Sequence, residues 1–308
     1  MATHVNSNGK ITRLELTDHS KIKSESLLTR GFRRLRRDRL TLFALAVLLV
    51  FVGLSLAAPF ITGNVLHVDP NATSPRDRLL PPGTEGHLLG TDQLGRDHLG
   101  RLLHGGRVSL AIGFFSAVTI LVIGLVVGMA TGYFGGLVDD LVNWVITTLD
   151  ALPALYLLIA VSALLRPSPG SLILVIAITG WTGAARLVRG QTIQIRNLDY
   201  VMAARALGAS PWRIMFSHIL PNLISVLAIS LAIGIGGVIL AEATLSFLSL
   251  GVQEPTPTWG NMLTDARSYF NRAAYLMIGP GLLISITVLC LYIIGDGIRD
   301  AFDPQAVD

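Results

Sequence analysis

The sequence predicts an all-α, polytopic membrane protein with six transmembrane helices. Of the 308 residues, 51% are hydrophobic and only 14% are charged, whereas soluble domains carry about 25% charged residues. Six apolar segments also approach the ~20 residues that a helix needs to cross a bilayer. Basic residues, finally, flank the first of these segments, as they do on the cytoplasmic side of membrane spans.

The six predicted spans divide the chain into short connecting segments. They cover residues 40–61, 108–133, 138–165, 171–185, 223–251 and 276–294. The predicted organisation is a basic cytoplasmic tail (1–39), a first transmembrane helix (40–61), an extracytoplasmic segment (62–107), a five-helix core (108–299) with a cytoplasmic loop at 186–222, and a C-terminal tail (300–308).

The distribution of basic residues predicts the orientation. Ten of the 24 Lys and Arg residues lie in residues 1–40, and an excess of Lys and Arg marks cytoplasmic segments. Loop 186–222 carries five Arg against the single acid Asp199, which agrees with the tail. We therefore predict that both termini are cytoplasmic and that the basic tail meets the lipid bilayer. The alternative for this tail, nucleic-acid binding, is disfavoured beside a span.

The loop between the fourth and fifth spans reads YVMAARALGASPWRIMFSHILPN over residues 200–222. Residues 201–207 are good helix formers, and Asp199 is placed to cap their helix. Gly208 permits a turn that other residues resist. Two short cytoplasmic helices joined by a tight turn are the result.

The second of these helices has its own start and stop signals. Ser210 is a suitable N-cap and Pro211 occupies the favoured first position. The helix is expected to end near residue 219, since Pro221 restricts the residue before it. Ala203 and Ala204 give one surface no bulk, which lets a partner approach closely. On composition alone, a docking loop and an amphipathic hairpin on the membrane surface remain equally open.

The spacing in this loop resembles the EAA signature of ABC importer permeases. That signature is Glu-Ala-Ala, three residues, Gly, then nine residues before an Ile-x-Leu-Pro ending. Met202 replaces the acid, and His218 stands where an aliphatic residue is common. The matching positions are Ala203, Ala204, Gly208, Leu220 and Pro221. The resemblance implies coupling helices that seat in a groove of an ATPase subunit.

The residues expected to make that coupling surface follow from the match. Because the usual acid is absent, shape and the loop's arginines are expected to hold the ATPase. The predicted coupling residues are Ala203, Ala204, Arg205, Gly208, Ala209, Arg213, His218, Leu220 and Pro221.

Three further stretches are similar to C-type permeases of dipeptide and oligopeptide importers. They are GTDQLGRDHLGRLLHGGRVSL (90–110), AEATLSFLSLGV (241–252) and GDGIRDAFDP (295–304). This resemblance, over about residues 30–304, implies the type I ABC importer transmembrane fold in a bacterial inner membrane. It implies a B-type permease partner, two ATPase subunits and an extracytoplasmic substrate-binding protein. Nickel and glutathione importers share these stretches, so the cargo stays open.

The sequence lacks the motifs of a nucleotide hydrolase. A GxxxxGK[ST] phosphate loop is absent, and every Lys lies within the first 23 residues. We therefore predict a non-enzymatic subunit without bound cofactor or metal, with ATP and Mg²⁺ on the partner ATPase subunits. One rival class is a stand-alone secondary transporter or channel, but the repeated halves typical of secondary transporters are not apparent in the sequence. Another is a scaffold protein that recruits a soluble partner.

Two acids lie within predicted spans. Asp150 is expected about 15 Å deep, near the midplane, if its helix enters near Asp140. Glu242 is expected about 30 Å from the cytoplasmic start of its span, near the outer face. Such acids line a substrate path or bond neighbouring helices. Either acid is therefore a candidate path residue or interhelical polar residue, and in a secondary transporter the two would form an ion relay.

Two other groups of residues have structural explanations. His87, Asp92, Asp97, His98 and His104 include metal-ligand types, but their spacing fits no closed zinc pattern. Asp92 and Asp97 are expected to cap turns instead, while Arg96 and Asp97 offer a charged contact to a second permease subunit. Glycines recur four residues apart on one helix face, which suits close helix packing. They are Gly124, Gly128 and Gly132.

Overall fold

The structure is a computed structural model, and it describes residues 4–5, 11–12, 31, 33–84, 86–164 and 168–302. Most of the predicted basic tail and the last residues of the C-terminal tail lie outside this part. Two short strands, β1 (His4–Val5) and β2 (Ile11–Thr12), pair antiparallel. The other regular elements of the described residues are helical.

Nine helices form the body of the described chain. Short helical turns at Ala58–Phe60, Ile61–Val65 and Pro75–Asp77 lie between the first two. The nine are α1 (Arg39–Leu56), α2 (His98–Phe134), α3 (Gly136–Asp150), α4 (Ala154–Leu164), α5 (Pro169–Arg196), α6 (Asp199–Ala206), α7 (Pro211–Phe247), α8 (Trp259–Arg267) and α9 (Tyr275–Phe302).

Five of these helices are long and apolar enough to cross a membrane: α1, α2, α5, α7 and α9. The sixth span is a bent pair, because α3 and α4 meet at 91°. The all-α fold with six spans is confirmed when this pair counts as one span, but a continuous helix over residues 138–165 was a wrong prediction. Pro153 explains the break, since proline removes a backbone donor and restricts the residue before it.

Three helices extend beyond their predicted spans, and one of them, α9, runs to Phe302 rather than ending near residue 294. α2 begins at His98 rather than near residue 108, and the Asp97 carboxylate caps it by accepting a 2.6 Å hydrogen bond from the Gly100 N–H. α5 continues to Arg196 instead of ending near residue 185. Polar helical ends escape a search for apolar runs. The loop predicted from residue 186 therefore begins only after Arg196.

α2 and α5 pack closely along the glycine face of α2. A Cβ atom added to Gly124 would lie 2.5 Å from Ala184 Cβ, and one added to Gly132 would lie 2.7 Å from Thr192 Cβ. A side chain at either position would collide with α5, so the predicted packing role of these glycines is confirmed.

Arginines on α5 hold the other helices at one end of the bundle. Arg189 donates two hydrogen bonds to the Asp139 carboxylate on α3, at 2.5 and 2.6 Å. The Arg196 guanidinium donates at 2.7 Å to the Gly132 carbonyl in the last turn of α2. Positive charge is favourable at a helix C-terminus, where carbonyl groups lack helical partners.

A charge network that is buried at its Arg96 and Asp92 end joins the segment before α2 to the segment after α7. Arg96 donates at 2.6 Å to Asp92 and at 2.6 Å to Glu254. Asp92 also accepts hydrogen bonds from the Leu94 and Arg96 N–H groups at 2.8 and 3.0 Å, which confirms that it caps a turn. Arg96 and Asp97 are both buried. They therefore offer no exposed charge to a second subunit, in contrast to the expected contact.

Candidate functional site

The predicted coupling loop forms a helix–turn–helix hairpin. Its first helix, α6, begins at Asp199, and Leu198 is the N-cap residue without a side-chain capping bond. The prediction that Asp199 caps this helix was therefore wrong. Asp199 lies in the first turn, where its negative charge is still favourable toward the helix dipole.

Gly208 makes the turn after α6. Its φ is +82°, a left-handed conformation that residues with a Cβ rarely adopt. The Gly208 N–H donates to Arg205 O at 3.0 Å, and the Ala209 N–H donates to Ala204 O at 3.1 Å. A Cβ on Gly208 would meet nothing within 4 Å. Backbone conformation, rather than lack of space, therefore requires glycine here.

The second helix of the hairpin is the beginning of α7. Ser210 accepts a 3.4 Å hydrogen bond from the Arg213 N–H, and Pro211 is the first helical residue, as predicted. The helix does not end before Pro221. A wider π-helical turn at Met215–Ile219, in which the Leu220 N–H donates to Met215 O, carries the chain past the proline. The predicted stop was wrong, and the hairpin is continuous with a membrane span.

The inner face of the hairpin is fixed to the bundle by apolar contacts. Fully buried side chains of α6 and α7 pack against the ends of α2 and α5, and Ala209 packs beside them. The cluster contains Met129, Val188, Ile195, Val201, Ile214, Met215, Ile219 and Leu223. The hairpin and the bundle therefore share one apolar core.

The outer face of the hairpin is apolar and exposed. Leu207 is 89% exposed, Trp212 is 65% exposed, and Met202 is half exposed. The Trp212 ring stacks on Phe216 with centroids 6.1 Å apart. We call Met202, Leu207, Trp212 and Phe216 the exposed hairpin face. A large apolar side chain beside a glycine turn in a basic loop was a signal that the sequence interpretation did not use.

The other predicted coupling residues divide between exposed and bracing positions. Ala203, Arg205, Gly208, Arg213 and Pro221 are exposed, and Ala204, Ala209, His218 and Leu220 are half-buried. The Arg205 guanidinium lies 5.4 Å above the Tyr133 ring. His218 stacks on Tyr200 with centroids 6.4 Å apart, and its Nδ1 lies 3.4 Å from Arg213 O.

The two intramembrane acids lie in different environments. Glu242 is fully buried and accepts hydrogen bonds from Ser246 and Thr258, both at 2.8 Å, and from Ser109 at 3.4 Å. Glu242 on α7 therefore bonds to α2 and to the start of α8, as an interhelical polar residue does. Asp150 accepts a 2.9 Å bond from Thr182 and pairs with Arg186, yet it remains partly exposed.

Five long apolar helices, one bent span and a protruding hairpin define a multi-pass membrane protein. A family model described as the binding-protein-dependent transport system inner membrane component matches residues 120–307. A second, the N-terminal transmembrane domain of oligopeptide transport permease C, matches residues 26–82. The chain belongs to this family, and it is the permease component of an ABC importer.

Curated relatives match nearly the whole chain. A dipeptide transport system permease protein, DppC, from Alkalihalophilus pseudofirmus is 37% identical over 89% of this chain and 89% of its own length. A putative peptide transport permease from Brucella abortus is 42% identical, covering 92% and 93%. A glutathione transport permease, GsiD, from Pectobacterium atrosepticum is 40% identical, covering 83% and 85%.

A solved structure shares the fold. The inward-facing MetNI methionine ABC transporter aligns with a TM-score of 0.55 and 22% identity, over 65% of this chain and 96% of its own. The predicted importer transmembrane fold is thereby confirmed.

Proposed function

We propose that this chain forms half of the translocation path of a peptide importer and couples it to ATPase subunits through the exposed hairpin face. The observation that carries the proposal is this apolar surface, which projects from a hairpin rigidly joined to α2, α5 and α7. Exposed apolar patches of this kind mark protein interaction sites. The match to the EAA spacing points to an ATPase subunit as the partner.

The coupling follows from the continuity of α7. A movement applied to Trp212 is transmitted along α7 itself, since the π-helical turn keeps the chain helical past Pro221. Leu207 lies in the turn between α6 and α7, so a movement applied there reaches α7 through the hairpin. Packing of the inner face against α2 and α5 spreads the same movement to the bundle. Binding of ATP and Mg²⁺ by the partner subunits thus switches the translocation path between a state open to one side of the membrane and a state open to the other. Hydrolysis takes place on those subunits and not on this chain.

The proposed cargo is a short peptide. Relatives named for peptide and dipeptide transport support it, at 37–42% identity over about nine tenths of the chain. A second candidate is glutathione, which the name of another relative specifies. The remaining proposed partners are a B-type permease subunit and an extracytoplasmic binding protein. The proposed setting is a bacterial inner membrane, with both termini in the cytoplasm.

The test uses the complete transporter in proteoliposomes with ATP inside and the binding protein outside. Leu207→Asp places a charge on the docking surface and is expected to release the ATPase subunits and lower dipeptide uptake at least tenfold. Phe270→Asp is the matched control, because Phe270 is also an exposed apolar side chain (56%) but lies between α8 and α9. ATPase retention and normal uptake in the Leu207 variant would overturn the docking proposal. ATP-independent uptake by the wild-type chain would favour a secondary transporter.

A further inference from the structure

An ion pair lies beside the break between α3 and α4. Asp150 is the last residue of α3, and Arg186 faces it from α5. Arg186 stands ten residues before the end of α5, which places it about 15 Å inside that helix. The pair therefore lies at the break of the bent span, about 15 Å from the end of α5.

This pair is exposed on the surface of the subunit. The Arg186 side chain is 57% exposed and the Asp150 side chain 37%. Charged groups in a span are costly against lipid and usually face a water-filled cavity or another charged group. Each of these charged groups faces the other, and their exposed atoms form a polar patch on the subunit surface beside the helix break.

A second ion pair on the same two helices provides an internal comparison. Arg189 and Asp139 are only 29% and 16% exposed. They are joined by two hydrogen bonds, and Asp139 accepts a third, at 2.7 Å, from Asn143. That pair is more buried and more fully hydrogen-bonded, as expected of a structural ion pair. Arg186, by contrast, makes one hydrogen bond among the described residues, although a guanidinium carries five donors.

Asp150 is held independently of Arg186. The buried Thr182 hydroxyl donates to Asp150 Oδ1 at 2.9 Å, while Arg186 bonds to Oδ2. The carboxylate therefore keeps its position when the arginine turns away. An exposed ion pair contributes little to stability, so exchanging its partners costs little.

We propose that Arg186 and Asp150 bind the two charged ends of a short peptide on its way through the permease. Arg186 takes the C-terminal carboxylate in a two-hydrogen-bond contact, and Asp150 takes the N-terminal ammonium. A dipeptide spans about 7 Å, so the two side chains need only separate to admit it. This inference rests on the proposed peptide cargo, and it assigns a chemical basis for recognition inside the permease.

The test measures binding of a fluorescent dipeptide to the complete permease–ATPase complex without the binding protein. N-acetylated and C-amidated forms of the same dipeptide are compared with the free form. Wild type is expected to bind the free dipeptide about tenfold more tightly than either blocked form. Arg186→Gln should bind the free and C-amidated dipeptides equally while still preferring the free form to the N-acetylated one. Asp150→Asn should bind the free and N-acetylated dipeptides equally while still preferring the free form to the C-amidated one. Arg189→Gln is the control and should leave both preferences intact.

The possible results separate the two proposals. Equal wild-type affinity for all three peptides would overturn the site, even where the complete system takes up dipeptide. Preferences that persist in the Arg186 and Asp150 variants would also overturn it, leaving the pair a structural role. If the wild-type system with its binding protein takes up no dipeptide, the proposed cargo fails and the inference fails with it.

Discussion

The Thr258 hydroxyl donates a 2.8 Å hydrogen bond to Glu242 Oε1, which joins the start of α8 to the last third of α7. Ser246 donates to the same oxygen at 2.8 Å, and Ser109 on α2 lies 3.4 Å from the other. Glu242 thus links three helices from a fully buried position. Three hydroxyl donors around one carboxylate satisfy it without a cation.

Glu242→Ala is expected to destabilise the subunit. Three buried hydroxyl groups would lose their common acceptor, and the free energy of unfolding should fall by about 3 kcal/mol or more. Glu242→Gln keeps one acceptor oxygen and the side-chain shape, so its loss should be clearly smaller. Thermal unfolding of the detergent-solubilised complex measures both. An Ala variant that unfolds like wild type but fails to transport would instead indicate a role in the path.

Gly208 variants should separate backbone conformation from bulk. Gly208→Val forces a branched side chain into φ +82°, at a cost of about 1–2 kcal/mol. Gly208→Asn should be tolerated better, because Asn adopts left-handed conformations more readily. Uptake per ATP hydrolysed is the measurement, and Val is expected to lower it more than Asn. Equal effects would indicate that side-chain size at the turn, not its backbone conformation, matters.

At Gly128, by contrast with Gly208, the close approach of α2 to α5 predicts that added side-chain bulk lowers stability. A Cβ there would lie 2.8 Å from Val188 Cβ, whereas one at Gly237 on α7 would meet nothing within 4 Å. Gly128→Ala should therefore lower the free energy of unfolding by about 1–3 kcal/mol. Gly237→Ala, the matched control, should raise it slightly, by about 0.5–1 kcal/mol, since alanine favours helix. A Gly128 variant as stable as wild type would contradict the packing described here.

The charge network of Arg96, Asp92 and Glu254 extends to Asp265 on α8, and it carries a pH dependence. Burial and the neighbouring Glu254 carboxylate raise the pKa of Asp265 to about 6. Burial also opposes ionisation of Glu254, but the hydrogen bond and charge of Arg96 outweigh it and hold the pKa of Glu254 below its usual range. Near pH 5, Glu254 is therefore ionised while Asp265 retains its proton.

The free energy of unfolding should consequently fall as the pH is raised from about 4 to about 6. A carboxyl whose pKa is raised in the folded state stabilises it most below the unfolded pKa, and this contribution is lost as the pH rises through the folded value. A pKa raised from 3.8 to about 6 corresponds to about 3 kcal/mol, and because Asp265 is partly exposed to solvent the expected loss is about 2 kcal/mol. Asp265→Asn should remove this loss. Glu254 acts in the opposite sense at lower pH. Thermal unfolding between about pH 5 and pH 7 therefore follows the upper part of this loss, which belongs to Asp265 alone. An identical pH profile in the Asn variant would contradict this assignment.

The elements predicted well from sequence are those set by local chemistry. Apolar runs gave the spans, and Gly208 and Ser210 gave the hairpin turn and its second cap. The continuation through Pro221 was missed because a π-helical turn depends on how α7 packs, not on local preference. The start of α2 and the end of α5 were missed because polar residues interrupt the apolar runs there. The partners of Arg189 and Arg196, which are Asp139 and the Gly132 carbonyl, lie far away in the sequence. Asp150 and Arg186 lie 36 positions apart, so their pairing needed the fold.

The central claim is that the exposed hairpin face docks an ATPase subunit. Single-cysteine crosslinking tests it most directly, since the native Cys290 is buried and its Ala variant provides the background. We expect Leu207→Cys to crosslink to an ATPase subunit in intact membranes, with a yield that changes when ATP is added, and Phe270→Cys to give no such product. Absence of the ATPase crosslink at position 207, with the assembled complex present, would contradict the account.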